Sequence, residues 1–148
     1  MRLCHLLWLS SSSSSFLPFF AAQTTRTGTV LNVTLNHCKR LPCPILPGQP
    51  INYTVHFRLQ LPAENFYHIV GWAKQDDTSI LFHEGHNRGS MPQLSYQTVN
   101  FYGIPRISRP QNAKLMMTGY AQGSMVFCVM TDVTSSRTAI GNRCVESL

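Results

Sequence analysis

The chain has 148 residues, of which 43% are hydrophobic and only 12% are charged, and its formal net charge is +6. This length suits one domain with a sizeable core, and the composition excludes a disordered chain and a long surface helix. The basic residues are scattered, without a basic helix or an aromatic-interleaved basic stripe, so nucleic-acid binding is not expected. Transient contact with anionic membranes and a simply soluble basic surface both fit this charge.

Residues 1–22 have the pattern of a secretory signal. Arg2 supplies a positive charge, apolar runs lie on both sides of six serines at 10–15, and Ala21-Ala22 ends the segment. The serines interrupt the apolar run, and a membrane anchor needs about 20 continuous apolar residues. We therefore predict a signal at 1–22, a folded domain at 23–134 and a loose tail at 135–148, in a protein that is secreted or endolysosomal.

Alternation of apolar and polar residues predicts β-strands. It runs from Leu31 to Leu35 and, more clearly, over the eleven residues from Ile51 to Leu61. Turn-forming residues separate the further strand candidates, which are 67–73, 80–83, 94–101, 114–121 and 125–133. No segment has a sustained 3.6-residue period. The fold class we predict is all-β, an Ig-like antiparallel sandwich of two sheets and about seven strands.

Two N-glycosylation triplets support the secretory route. Asn32-Val33-Thr34 and Asn52-Tyr53-Thr54 both match the acceptor pattern. In both predicted strands the asparagine falls on the polar face, where a glycan has room.

Cysteine usage indicates an oxidising compartment. Removal of Cys4 with the signal leaves Cys38, Cys43, Cys128 and Cys144, which allow three pairings. Cys38 and Cys43 are close enough in sequence to close a small loop, and we predict that bridge. Cys128 and Cys144 then form the second bridge by elimination.

One stretch resembles a known family. CKRLPCPILPGQPINYTVHF, residues 38–57, joins a Cys-x4-Cys loop to Gly48-Gln49 and an alternating strand. It is similar to the signature of the ML lipid-recognition domain family, particularly its Niemann–Pick type C branch of lysosomal sterol-transfer proteins. Two later stretches also resemble the family. The family's crossing loop is similar to residues 104–117, IPRISRPQNAKLMM, and its final, cysteine-containing strand is similar to residues 123–133, GSMVFCVMTDV.

The resemblance implies a non-catalytic protein that holds a lipid (a sterol, fatty acid or phospholipid) between two sheets, with no cofactor. It makes Cys38–Cys43 the family's small-loop disulfide. It suggests that the residues facing the cavity are Ile51, Tyr53, Val55, Leu115, Met117, Val129 and Val133. The entrance would lie near Phe82 and the loop from Ile104 and Pro105 to Pro110, where Arg106 and Arg109 could meet an anionic head group.

This sequence also departs from the family pattern. The family has a cysteine near the mature N-terminus, where Gln23 stands here. Gly119 and Val129 occupy positions of bulky tryptophans, and Arg106 and Pro110 replace an aliphatic and an aromatic residue. A wider or differently shaped pocket is expected, so lipid binding carries over from the resemblance while cholesterol as the ligand does not.

Three other functions stay open at this stage. A family member can present its lipid to a receptor in innate immunity. His83 and His86 could bind zinc or copper, although a catalytic zinc needs a third protein ligand, and surface histidines are the commoner explanation. A purely structural sandwich is the third, because alternation alone does not separate a packed core from a cavity.

Overall fold

The structure is a computed structural model and describes residues 21–36, 38–39, 41–76, 78–105, 109 and 113–135. Within these ranges the chain forms strands and turns. In chain order the strands are β1 (Ala21–Thr24), β2 (Gly28–Leu35), β3 (Cys43–Ile45), β4 (Ile51–Leu59), β5 (Phe66–Ala73), β6 (Ser79–Asn87), β7 (Tyr96–Gly103), β8 (Lys114–Ala121) and β9 (Ser124–Ser135).

The strands form two sheets. The large sheet has the order β1-β9-β8-β5-β6, with β3 paired to the end of β9, and the small sheet has the order β2-β4-β7. The β3–β9 pair is parallel and the other pairs are antiparallel. The predicted all-β, Ig-like sandwich is confirmed, with the short strands β1 and β3 in addition to the seven expected. In the part of the chain that the structure describes, no helix could cross a membrane.

Strand β4 follows the predicted alternation. Its inward residues, from Ile51 to Leu59, are 1% exposed or less, whereas Asn52 is exposed and the other outward residues are partly exposed. Leu61, which the alternation includes, lies beyond the end of β4 and is exposed. Pro62 follows it and has no N–H for the sheet ladder, so the strand does not continue.

Strand β6 is longer than predicted. The sequence predicts a strand over 80–83, but β6 continues to Asn87 and pairs with β5 along its length. Since β6 lies at the edge of the large sheet, polar residues such as Glu84 and His86 can face water without breaking the strand. The motif from His83 to His86 is therefore part of a strand and not of a loop.

A tight turn joins β8 and β9, whose last and first residues, Ala121 and Ser124, are paired. Gln122 and Gly123 have φ angles of 51° and 74°. Positive φ at both central residues defines the type I′ turn, whose twist matches that of the two strands it joins.

The core lies between the two sheets. Its centre is a cluster of three phenylalanines, in which the ring of Phe57 lies 5.5 Å from that of Phe66 and 4.8 Å from that of Phe127, centroid to centroid. A second apolar cluster contains Ile69, Met116 and Cys128, which alternate with the inward residues of their strands and so belong to the outer face of the large sheet. We call it the outer cluster.

Candidate lipid-binding site

Seven predicted cavity residues lie together between the sheets. They come from β4, β8 and β9 and all belong to the main core cluster: Ile51, Tyr53, Val55, Leu115, Met117, Val129 and Val133. Six have no accessible surface and Val133 has only a trace. The interior is therefore closed in this structure, with side chains from the two sheets in contact.

The other three predicted residues lie further from the centre. Phe82 is partly buried and packs against the core cluster, with its ring 5.5 Å from Trp72 and 5.5 Å from Phe101. Ile104 is 53% exposed and Pro105 is partly buried, both just after the end of β7. The structure thus brings Phe82, but not Ile104, into the interior.

A buried hydrogen bond joins the two sheets. The hydroxyls of Tyr53 on β4 and Thr131 on β9 lie 3.0 Å apart, and both side chains are fully buried. Burial raises the pKa of Tyr53, while the hydrogen bond with Thr131 acts in the opposite direction. One hydroxyl donates to the other, so each of these two buried oxygens has a hydrogen-bond partner. The sequence predicts Tyr53 as an inward residue, but nothing local identifies Thr131 as its partner.

The space at Gly119 is occupied. A Cβ atom there would lie 2.6 Å from Phe127 and 2.8 Å from Phe66, so the two rings close over the glycine. The wider pocket expected from this glycine is absent at this position. Phe66 lies on β5, 53 residues before Gly119 along the chain, so no local sequence pattern predicts this compensation.

A cavity of about 470 Å³ opens at one end of the sandwich. Its floor contains Leu41, Ala113 and Val133, which belong to the core cluster or pack against it. Its remaining walls are formed by Pro42, Gln75, Arg109, Lys114 and Asp132. We call this cavity the end cleft. An apolar floor beneath a polar rim suits an amphipathic molecule.

The rim of the end cleft has a positive balance. Lys114 and Asp132 form an ion pair of 3.2 Å between β8 and β9, and both side chains are about half exposed. Their charges offset each other, and Arg109 adds a positive charge. Arg109 belongs to the loop that the sequence predicts as the entrance, whereas Arg106 and Pro110 lie outside the described residues. Gln75 follows the predicted strand 67–73 and Asp132 lies within the predicted strand 125–133, and no sequence pattern distinguishes either of them as a cleft residue.

The Cys-x4-Cys loop supplies Leu41 to the floor of the end cleft and Pro42 to its wall. Strand β3 holds the loop by pairing Cys43 with Val133. Cys43 is a buried thiol that donates a weak hydrogen bond to the carbonyl of Leu35, and Cys38 lies next to it. Burial, followed by the contact with Cys38, raises the pKa of Cys43. The bridge between these two cysteines stays a prediction.

Cys128 is disulfide-bonded, and its sulfur also accepts a 3.4 Å hydrogen bond from Thr118. Cys144, its predicted partner, lies outside the described residues. The register places Gln23 opposite Cys128, so the position at which the resemblance would place an N-terminal cysteine is paired with Cys128 in the sheet.

The two histidines of the metal hypothesis face opposite sides of β6. His83 contacts His68 and Phe101, with ring centroids 5.4 and 4.8 Å away. His86 stacks on Tyr67 and pairs with Glu84 at 2.8 Å. Residues three apart on a strand point in opposite directions, so they do not share a site. No group of three or more potential metal ligands occurs among the described residues.

His68 gives the folded protein a dependence on pH. Burial, with smaller contributions from His83 and His86, lowers the pKa of His68 from 6.5 to about 4. The unfolded chain takes up this proton near pH 6.5, so the fold loses stability as the pH falls from about 6.5 to about 4. We expect the urea midpoint to fall over this range.

His68→Gln should flatten that dependence. A smaller decrease of the urea midpoint with falling pH should remain, because burial also lowers the pKa of His83. If the urea midpoint of the variant depends on pH as strongly as that of the parent, titratable groups other than His68 cause the dependence.

The fold is similar to that of a Niemann-Pick type C2 protein from Japanese carpenter ant. The match has a TM-score of 0.65 and 11% sequence identity, and it covers 78% of this chain and 98% of that chain. The C-terminal domain of wzt is also similar, with a TM-score of 0.56, 8% identity and coverage of 83% and 81%. No family model and no curated protein matches the sequence. At these identities the likeness shows the fold alone, an Ig-like β-sandwich of the kind seen in the ant protein.

Proposed function

We propose that this protein binds a lipid between its two sheets and transfers it, without catalysing a reaction, in the secretory or endolysosomal space. The observation that supports this most directly is the end cleft, where a polar, positively charged rim stands over a floor formed by core side chains. The similarity to a Niemann-Pick type C2 protein supports the same proposal, because the family resemblance of residues 38–57 implies a lipid cavity in this fold.

Entry of a lipid chain requires the core to open. The floor residues Ala113 and Val133 are nearly inaccessible, and the cavity residues beyond them are closed. Apolar burial of the chain, at about 25 cal/mol per Å² removed from water, would drive the opening. The unbranched side chain of Met117 can change rotamer and adapt the wall to the ligand. The positive rim favours a lipid with an anionic or polar head.

Blocking the end cleft tests the proposal. Leu41→Trp places an indole on its floor, and we expect at least a 10-fold loss of binding of a fluorescent fatty acid. Leu46→Trp is the matched control, because Leu46 follows the same loop, is exposed and does not line the cleft. Equal binding of the fatty acid by the two variants would show that the lipid does not enter through the end cleft.

Lipids extracted from the purified protein should be identified by mass spectrometry. A protein that yields no lipid and binds neither sterol nor fatty-acid probes would contradict lipid binding altogether. The rate of exchange between vesicles then separates the two lipid functions. A transfer protein exchanges its lipid rapidly, whereas a recognition protein that presents lipid to a receptor retains it.

A further inference from the structure

The outer face of the small sheet is rich in amide and hydroxyl groups. Across β4 and β7, Thr54 donates a 3.0 Å hydrogen bond to Asn100, and His56 shares a 2.8 Å hydrogen bond with Thr98. These cross-strand contacts order the polar side chains over the middle of the face. Asn52 lies at one end of this row and is exposed.

Asn52 lies directly opposite a large exposed aromatic residue. The register pairs it with Tyr102 on β7, and Tyr102 is 70% exposed. Cβ atoms of directly paired residues in an antiparallel sheet are about 5 Å apart. The hydroxyl of Thr54, which donates to Asn100, also lies 3.4 Å from the side-chain oxygen of Asn52. A glycan is joined to the side-chain nitrogen, so it leaves this contact in place.

We propose that Asn52 carries an N-linked glycan whose first sugar packs on the ring of Tyr102. The donor is a lipid-linked oligosaccharide diphosphate: the Asn52 nitrogen forms a bond to the anomeric carbon and loses a proton, and the bond from that carbon to the diphosphate breaks. One face of a pyranose ring presents C–H groups, and packing it on an aromatic ring removes apolar surface of both from water. This inference is independent of lipid binding.

The second acceptor site provides an internal comparison. Asn32 is also exposed on this face, but its cross-strand partner is His56, whose ring is already hydrogen-bonded to Thr98. A glycan at Asn32 therefore has no equivalent exposed ring beside it. The stabilising contact should be specific to Asn52.

The experiment uses the full chain, expressed through the secretory pathway of eukaryotic cells. Mass spectrometry of peptides before and after enzymatic deglycosylation establishes whether Asn52 is occupied. Thermal unfolding is then compared for four proteins that combine Asn52 or Asn52→Gln with Tyr102 or Tyr102→Ala. Tyr102→Ala removes the contact between the first sugar and the tyrosine ring, and it should lower Tm by about 3 °C in the glycosylated protein. In the Asn52→Gln background, Tyr102→Ala should change Tm by less than about 1 °C.

Tyr96→Ala is the matched control for the ring. Tyr96 lies on the same strand and is 72% exposed, but it is paired with Arg58 and not with a glycan acceptor. Its substitution should have the same small effect with and without the glycan. An unoccupied Asn52, or an equal fall in Tm for Tyr102→Ala in both backgrounds, would overturn the proposal.

Discussion

Phe57→Ala is expected to lower the free energy of unfolding by about 4 kcal/mol. Phe57 has no exposed surface, and its ring contacts those of Phe66 and Phe127 where the two sheets meet. Removal of the ring loses its transfer free energy and leaves a hole that the paired strands cannot close. Single domains are typically stable by only about 5–15 kcal/mol, so the variant will be close to unfolding. Urea denaturation followed by the fluorescence of buried Trp72 measures the change.

Two further substitutions serve as controls for Phe57→Ala. Phe57→Leu keeps most of the volume and should cost clearly less than the alanine variant. Tyr96→Ala removes an exposed ring that lies 5.9 Å from the guanidinium of Arg58, and it should stay within about 1 kcal/mol of the parent. A loss below about 1 kcal/mol for Phe57→Ala would mean that the core is not tightly packed here. That outcome would favour a permanently open cavity over the closed interior.

Cys144→Ser is expected to cost about 3 kcal/mol of stability. Cys128 is disulfide-bonded, and a bridge to Cys144 would close a loop of about 15 residues, for which loop entropy gives that value. Cys144→Ser removes the predicted bridge without placing a hydroxyl at the buried Cys128 position. Cys128→Ser should cost at least as much. The double variant should be no less stable than the less stable of the two single variants.

Peptide mapping without reduction identifies the partner directly. A Cys144→Ser protein as stable as the parent, with Cys128 still bridged, would assign Cys128 another partner.

The bridge should also affect the exposure of the outer cluster, because Ile69 and Met116 are buried beside Cys128 on the outer side of the large sheet. Loss of the bridge should then increase binding of a hydrophobic dye.

The sequence predicts the fold well where one face of a strand is buried and the other is not. Strand β4 is the clearest case, since its alternation records burial on one side and water on the other. Strand β6 shows the limit of this approach. Its pairing with β5 maintains the strand through His83, Glu84 and Gly85, although their side chains lack the pattern.

The candidate site is predicted only in part, because its remaining features depend on contacts between distant residues. The inward position of Tyr53 follows from alternation, but its hydrogen bond with Thr131 spans 78 positions of the chain. The closure over Gly119 depends on Phe66, 53 residues away along the sequence. The end cleft combines the Cys-x4-Cys loop with the ends of β8 and β9, and only the folded chain brings these segments together.

Under the proposed lipid binding, the hydrogen bond between Tyr53 and Thr131 would make the interior select among lipids by the chemical group at their inserted end. A plain hydrocarbon tail that separated these hydroxyls would leave two buried polar groups unpaired, at about 1–3 kcal/mol each. A ligand with a hydroxyl at that depth could replace the lost bond. A shorter tail would stop before reaching it. The protein would thus discriminate by chain length and by the polarity of the buried end, and not only by the head group at the rim.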